Sequence, residues 1–316
     1  DSASLVDFNN REVTTGTEGT GIFLTGTGDI SKVTNLDKLN VSNKSTGIFM
    51  DNNVALNTGI KIDLTGTEAI GVFTTNNGNI NYSGNIDSST VKNKGIINTG
   101  TGTTVNSGTM KLMGDSSIGM YSENGTMINN SSIEVGNGAY TGLILNSAVA
   151  MYGKNVTSVS NTGNIEIGKD AVGMYADVGN IDNALGTINV TNNGIGMYLV
   201  GAGSILDFGT LNVTKGVGYV VNGATLGAAT GTVTLHAGDK DNYSIGGYYL
   251  NTSGTINLPA IADADYSIKA AISGGVNTVT GAITTTGGQN KIGIFASGSD
   301  TGLRTVTVGG KENIGV

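Results

Sequence analysis

The sequence predicts an all-β chain, wound as a single-stranded, right-handed parallel β-helix of about 13 coils with a period of about 23–24 residues. Three observations predict it. A glycine-centred element recurs from end to end, an alternating element precedes it by about ten residues, and the composition suits stacked short strands rather than globules.

The first element is a small or β-branched residue, glycine, an apolar residue and then, in many copies, an aromatic. It reads T-G-I-F at Thr46–Phe49, I-G-V-F at Ile70–Phe73, I-G-M-Y at Ile118–Tyr121, V-G-M-Y at Val172–Tyr175, I-G-M-Y at Ile195–Tyr198 and I-G-I-F at Ile292–Phe295. The glycine sets the register: Gly21, Gly47, Gly71, Gly95, Gly119, Gly142, Gly173, Gly196, Gly218, Gly246, Lys269, Gly293 and Gly315. Lys269 takes its place because Tyr266-Ser267-Ile268 repeats Tyr243-Ser244-Ile245. Ten of the twelve spacings fall between 22 and 26 residues, which chance does not produce.

The second element is glycine followed by a short alternating run: G-T-M-K-L at Gly108–Leu112, G-N-I-E-I at Gly163–Ile167, G-T-I-N-V at Gly186–Val190, G-T-L-N-V at Gly209–Val213 and G-T-V-T-L at Gly231–Leu235. Period-two alternation is the mark of a strand with one buried face. Asn-Gly and Thr-Gly pairs between the runs supply turns that need positive φ. A coil alone cannot bury its narrow apolar face, whereas stacked coils share a continuous core. With strands about 4.8 Å apart, thirteen coils make a rod on the order of 60 Å long. A leucine-rich repeat has a similar period but needs leucines at fixed positions, and these are missing.

Composition removes other classes. Of 316 residues, 52 are glycine and one is proline, with no Trp or Cys. Collagen needs glycine at every third position with abundant proline. A disordered linker lacks the regular Ile, Val and Leu found here. The net charge of −8, with Arg11 and Arg304 the only arginines, argues against nucleic acid as a partner. Without cysteine there is no disulfide framework and no thiolate metal site. No apolar run reaches membrane-spanning length. The 316 residues read as one solenoid whose first twenty or so are irregular, and Ile314-Gly315-Val316 falls in mid-repeat, as expected of a piece of a longer solenoid.

No catalytic, cofactor or metal constellation is legible, and the reading is that of a non-enzyme. His236 is the only histidine, which leaves a Ser-His-Asp triad or a histidine metal site without partners. In I-G-M-Y, strict alternation turns the first and third residues inward and the glycine and aromatic outward. Phe23, Phe49, Phe73, Tyr121, Tyr175, Tyr198 and Phe295 then form an external ladder able to stack on a glycan or protein. The alternative is a corner after the glycine, which lays the aromatics inward or along the coil edge as a structural stack. Two spacings exceed the period: eight extra residues within 146–160, and about five within 236–244. Solenoid insertions leave as loops, where binding often resides. This makes Tyr152 and Lys154 in the first, and His236, Asp239, Lys240, Asp241 and Tyr243 in the second, candidate partner-binding residues.

The repeated I-G-M-Y and T-G-I-F units, with N-x-G-x-I runs between them, resemble passenger domains of type V autotransporters, most closely the large fusobacterial outer-membrane adhesins. The resemblance is one of repeat style over the whole chain. It implies export from a Gram-negative cell, display at the cell surface and anchoring through a C-terminal outer-membrane barrel beyond this sequence. It also implies coaggregation with other bacteria or attachment to host glycans or receptors, here as a monomeric rod. Two alternatives stand beside an adhesive role: a passive stalk segment, or a carbohydrate-active β-helix enzyme, which needs three or more charged side chains gathered on one face.

Overall fold

A computed structural model describes residues 6–26, 30–51, 53–138, 147–224, 226, 229–280, 282–285, 287–297, 300–301, 305–308 and 310–314. Every strand pairing among them is parallel and joins one coil to a neighbouring coil, so the chain is a parallel β-solenoid of about eleven turns. Each regular coil contributes strands to three faces.

Face 1 holds twelve strands, from Thr20–Thr25 and Thr46–Asp51 through Ile118–Glu123 and Val149–Lys154 to Ser267–Ser273 and Lys291–Ser297. A bridge from Ile292 to Ile314 begins a thirteenth level. Face 2 is built from shorter strands such as Thr103–Asn106, Thr126–Asn129 and Ser158–Asn161. The alternating runs make face 3, among them Met110–Leu112, Asn164–Ile167 and Thr187–Thr191. Two long strands, Val33–Val41 and Ile205–Thr214, lie in the same continuous seventeen-stranded sheet as faces 2 and 3.

The alternating runs behave as their pattern dictates. Met110, Leu112, Ile165, Ile167, Ile188, Val190, Leu211 and Val213 point into one core that runs the length of the solenoid. Lys111, Glu134, Glu166 and Asn189 occupy the intervening, outward positions. Full burial of each Ile, Leu or Met side chain contributes about 1.5–3 kcal/mol, which a coil realises only when its neighbours cover it.

Face 1 departs from strict alternation, and the expected orientation of two of its positions is corrected. The glycine points inward, as does the residue after it. A Cβ placed on Gly47 would lie 2.6 Å from the carbonyl oxygen of Gly71 and against Leu39 and Val41 of the core. On Gly95 it would lie 2.4 Å from the oxygen of Gly119. The pairing register skips this residue in every coil, as at a bulge, so two consecutive residues face inward. Consequently the first residue of the element faces out instead of in: Ile118, Val149 and Val172 pack in a second cluster with the aromatics, apart from the main core.

The corner leading into face 1 uses positive φ, largely without glycine. Lys44, Glu68, Lys92, Ser116, Asp170, Asn193 and Lys215 each stand two residues before a face 1 strand with φ between 53° and 64°. The strain is offset because this geometry turns the amide along the solenoid axis. The N–H of Lys44 donates to Thr67 O at 2.9 Å, and that of Lys92 to Asp115 O at 2.9 Å, so the ladder continues around the corner.

Inside the corner between faces 2 and 3 runs a buried asparagine ladder. Asn106 Nδ2 donates to Asn129 Oδ1 (2.8 Å), Asn129 to Asn161 (2.7 Å) and Asn161 to Asn183 (2.6 Å). The same amides bond the local turn, which satisfies polar groups that water cannot reach.

The sixth coil corrects the expected register. Gly142 lies outside the described residues. The position is taken by Ala150, within Val149-Ala150-Met151-Tyr152, which pairs with Ile118–Tyr121 below and Val172–Tyr175 above. The extra residues therefore fall between Val135 and Val149, not within 146–160. Gly315 also lies outside the described residues.

Candidate functional site

The aromatic positions fall into a single outward column on face 1. Its members in register are Phe23, Phe49, Phe73, Ile97, Tyr121, Tyr152, Tyr175, Tyr198, Val220, Tyr248, Ala271 and Phe295. Tyr152 thus belongs to the ladder and not to a loop. Its repeat was hidden because alanine replaces the usual glycine one residue before Met151.

The column has two kinds of stretch. At the first, Phe23 and Phe49 stack with ring centroids 5.3 Å apart and 8° between planes, and Phe73 lies a further 5.3 Å on. Phe23 is 55% exposed and Phe49 and Phe73 are half-buried, flanked by Thr20, Thr46 and Ile70 on the same side. At the second, Tyr121, Tyr152, Tyr175 and Tyr198 follow at 5.2, 4.7 and 5.6 Å. Tyr152 and Tyr175 are only 8% and 9% exposed, packed with Ile118, Val149 and Val172. Burial raises the phenol pKa of Tyr121, Tyr152 and Tyr175, reinforced by nearby acids such as Glu123 and Asp177. The tyrosines are therefore an outer structural seam, and the open aromatic surface is the phenylalanine stretch together with Phe295, which is 52% exposed.

Lys154 sits at the edge of this seam, on the face 1 strand, and pairs with Glu123 at 2.8 Å. Tyr121 Oη also donates to Glu123, at 3.3 Å. These charges rim the ladder and are mutually satisfied.

The turn at 236–244 lies between Leu235 and the face 1 strand Ser244–Leu250. His236 is exposed; its N–H donates to Val213 O, and its carbonyl accepts from Ser244 Oγ. Asp239 pairs with Lys215 at 2.9 Å and accepts the N–H groups of Asp241 and Asn242, which together hold its pKa at about 2. Lys240 pairs with Asp241, and the Tyr243 ring meets Tyr266 edge-on at 5.8 Å. The turn's polar groups are largely spent on its own geometry. The ladder and this turn stay separate: no residue of the turn joins the aromatic column.

Sequence reading missed a charged column on the outside of face 3. Asp63, Asp87, Lys111, Glu134 and Glu166 are aligned by register, although 23 to 32 residues separate neighbours in the chain. Asp63 is paired to Lys38 at 3.0 Å and Lys111 to Glu134 at 3.2 Å. Asp87 makes no ion pair among the described residues, and burial, followed by the charge of Asp63, raises its pKa. A shallow groove of about 560 Å³ runs over Asp63, Asp87 and Lys111. The signal was present as the middle residue of I-D-L, I-D-S, M-K-L, I-E-V and I-E-I, but only coil register makes it a column. Among the described residues no three His, Cys, Asp or Glu side chains converge as a metal-binding group.

No known family model, curated protein or solved structure matches the chain. Its geometry is compatible with a β-helix passenger domain.

Proposed function

We propose that the chain is part of an exported, surface-displayed adhesive rod, of the kind that outer-membrane autotransporters carry as passengers. It meets a host glycan, a receptor or a neighbouring bacterium through the phenylalanine end of face 1. The observation that carries this reading is the stack of Phe23, Phe49 and Phe73 on the outside of face 1, the one place among the described residues where exposed aromatics stack in successive coils. Exposed stacked aromatics bury large area with little loss of side-chain freedom, which suits them to anchor a partner. The parallel ladder around them holds the rings rigidly at the strand spacing, and the acidic surface keeps the rod soluble.

The test is saturable binding of the purified chain to epithelial and partner bacterial cells, with galactosides, N-acetylgalactosamine and free arginine as competitors. Phe23→Ala with Phe49→Ala should weaken binding by about tenfold or more, as expected for anchor residues, while the fold survives. A well-folded chain that binds nothing would make this stretch a passive stalk. Binding indifferent to both phenylalanines would move the contact elsewhere on the rod.

A further inference from the structure

The last five strands of face 1 read as strands with both sides buried. I-G-M-Y-L-V at Ile195–Val200, V-G-Y-V-V at Val217–Val221 and I-G-G-Y-Y-L at Ile245–Leu250 are continuous apolar runs, as is I-G-I-F-A at Ile292–Ala296. I-K-A-A-I at Ile268–Ile272 departs only at Lys269, whose side chain points inward. Such runs mark parallel strands covered on both faces. At the other end of face 1, T-G-I-F-L-T and T-G-I-F-M-D begin and end on Thr or Asp. In the five coils the outward first position is Ile195, Val217, Ile245, Ile268 and Ile292, all partly exposed. No charged side chain takes an outward position on these five strands.

The aromatic column alternates in size here: Tyr198, Val220, Tyr248, Ala271, Phe295. Phe295 is 52% exposed and the two tyrosines are partly exposed, whereas Val220 and Ala271 are recessed at 4% and 5%. Ridges and hollows thus repeat at about 9.6 Å, twice the strand spacing. An occupant that fills the hollows must carry ridges of the same period, and a second copy of this face carries them. A two-fold axis along the strands, between Val217–Asn222 and Ser244–Leu250, inverts the order of the coils. Tyr198 of each copy then meets the hollow at Ala271 of the other, and Tyr248 meets the hollow at Val220. Each contact is made twice, as in an isologous interface. Phe295 lies over the closed tyrosine seam at Tyr175.

We propose that this end of face 1 pairs with the same surface of a second copy of the chain, the two rods antiparallel and the sheets about 10 Å apart. Five strands of about six residues give a footprint of about 480 Å² per copy and about 1,000 Å² for the pair, the lower bound for a specific interface. The pair is therefore weak and reversible. Its centre is apolar, and Asn222, Ser273 and Ser297 fall along one margin, the arrangement of an apolar core with a polar rim. Phe23 and Phe49 lie at the far end of face 1 and take no part, so the pairing does not rest on the adhesive reading.

Sedimentation equilibrium of the chain across the micromolar range tests this. Tyr248→Lys puts an ammonium at the centre of the interface from an outward position. Ala271→Trp fills a hollow while keeping the surface apolar. Each should weaken the dimer about tenfold or more with the circular dichroism unchanged, while Phe23→Ala with Phe49→Ala leaves it intact. A chain that stays monomeric throughout the range overturns the proposal. So does a dimer that Tyr248→Lys leaves unchanged, one that Ala271→Trp tightens, or one lost with the two phenylalanines.

Discussion

Replacing Asn161 with alanine removes the middle rung of the buried asparagine ladder, and the structure sets the size of the effect. Asn161 accepts from Asn129 Nδ2 (2.7 Å) and donates to Asn183 Oδ1 (2.6 Å), which ties three coils together. It also donates to Gly163 O (3.1 Å) and accepts from Gly163 N (3.2 Å) within its own turn. In the variant, Asn129 Nδ2 keeps its bond to Ser131 O, but Asn183 Oδ1 is left buried without the amide that donated to it. Two inter-coil bonds at about 1 kcal/mol each, plus about 1–2 kcal/mol for the orphaned oxygen, give a loss of about 3–4 kcal/mol. Asn81→Ala is the matched control. Asn81 donates to Asn57 Oδ1 at 2.8 Å, the same inter-coil geometry, but in water, and its loss should stay within about 0.5 kcal/mol. Stability in a solenoid is a sum of coil and interface terms, so urea denaturation should be read together with hydrogen exchange of the segment 126–190. If Asn161→Ala costs no more than Asn81→Ala, the ladder is not a source of stability and the reasoning fails.

Further outcomes follow from the same structure. Tyr249→Phe should destabilise by about 1–2 kcal/mol in thermal or urea melts, because Tyr219 Oη shares a fully buried 2.7 Å bond with Tyr249 Oη that phenylalanine cannot replace. Gly95→Val should lower stability more than Gly95→Ala, whose cost is about 1–3 kcal/mol, since a Cβ there already meets Gly119 O at 2.4 Å. Burial raises the phenols of Tyr82, Tyr219 and Tyr249 well above their ordinary value of 10.0. Their neutral forms stabilise the fold fully below about pH 10, and that contribution is lost as pH rises towards the folded values. Absorbance near 295 nm should accordingly show them ionising only together with unfolding. Asp239 should titrate near pH 2 by NMR and move up towards the ordinary carboxylate range in Lys215→Met, since Lys215 is the main cause of its depression.

The sequence by itself determined the period, the strand character of the alternating runs and the inward set Met110, Leu112, Ile165, Ile167, Ile188 and Val190. Alternation and repeat length act locally, and one coil repeats the logic of the next. It also carried the aromatic column as a series of F and Y at one register position. It did not carry the orientation of the rest of that element. A bulge turns both Gly47 and Ile48 inward, and a bulge is a property of stacked backbones that leaves no mark beyond the glycine itself. The sixth coil was misread for a related reason. The inner column needs a very small residue, alanine meets that need at Ala150, and T-G-L-I at 141–144 imitates the motif.

Tertiary structure alone decided which side chains share a surface. Stacking made an open phenylalanine patch of Phe23, Phe49 and Phe73 but buried Tyr152 and Tyr175, although all occupy the same register position. It aligned Asp63, Asp87, Lys111, Glu134 and Glu166 into one column and carried the Lys269 side chain across to the carbonyl of Ile261. The physical reason is that residues about 24 apart in the chain become neighbours at the strand spacing only once the coils close.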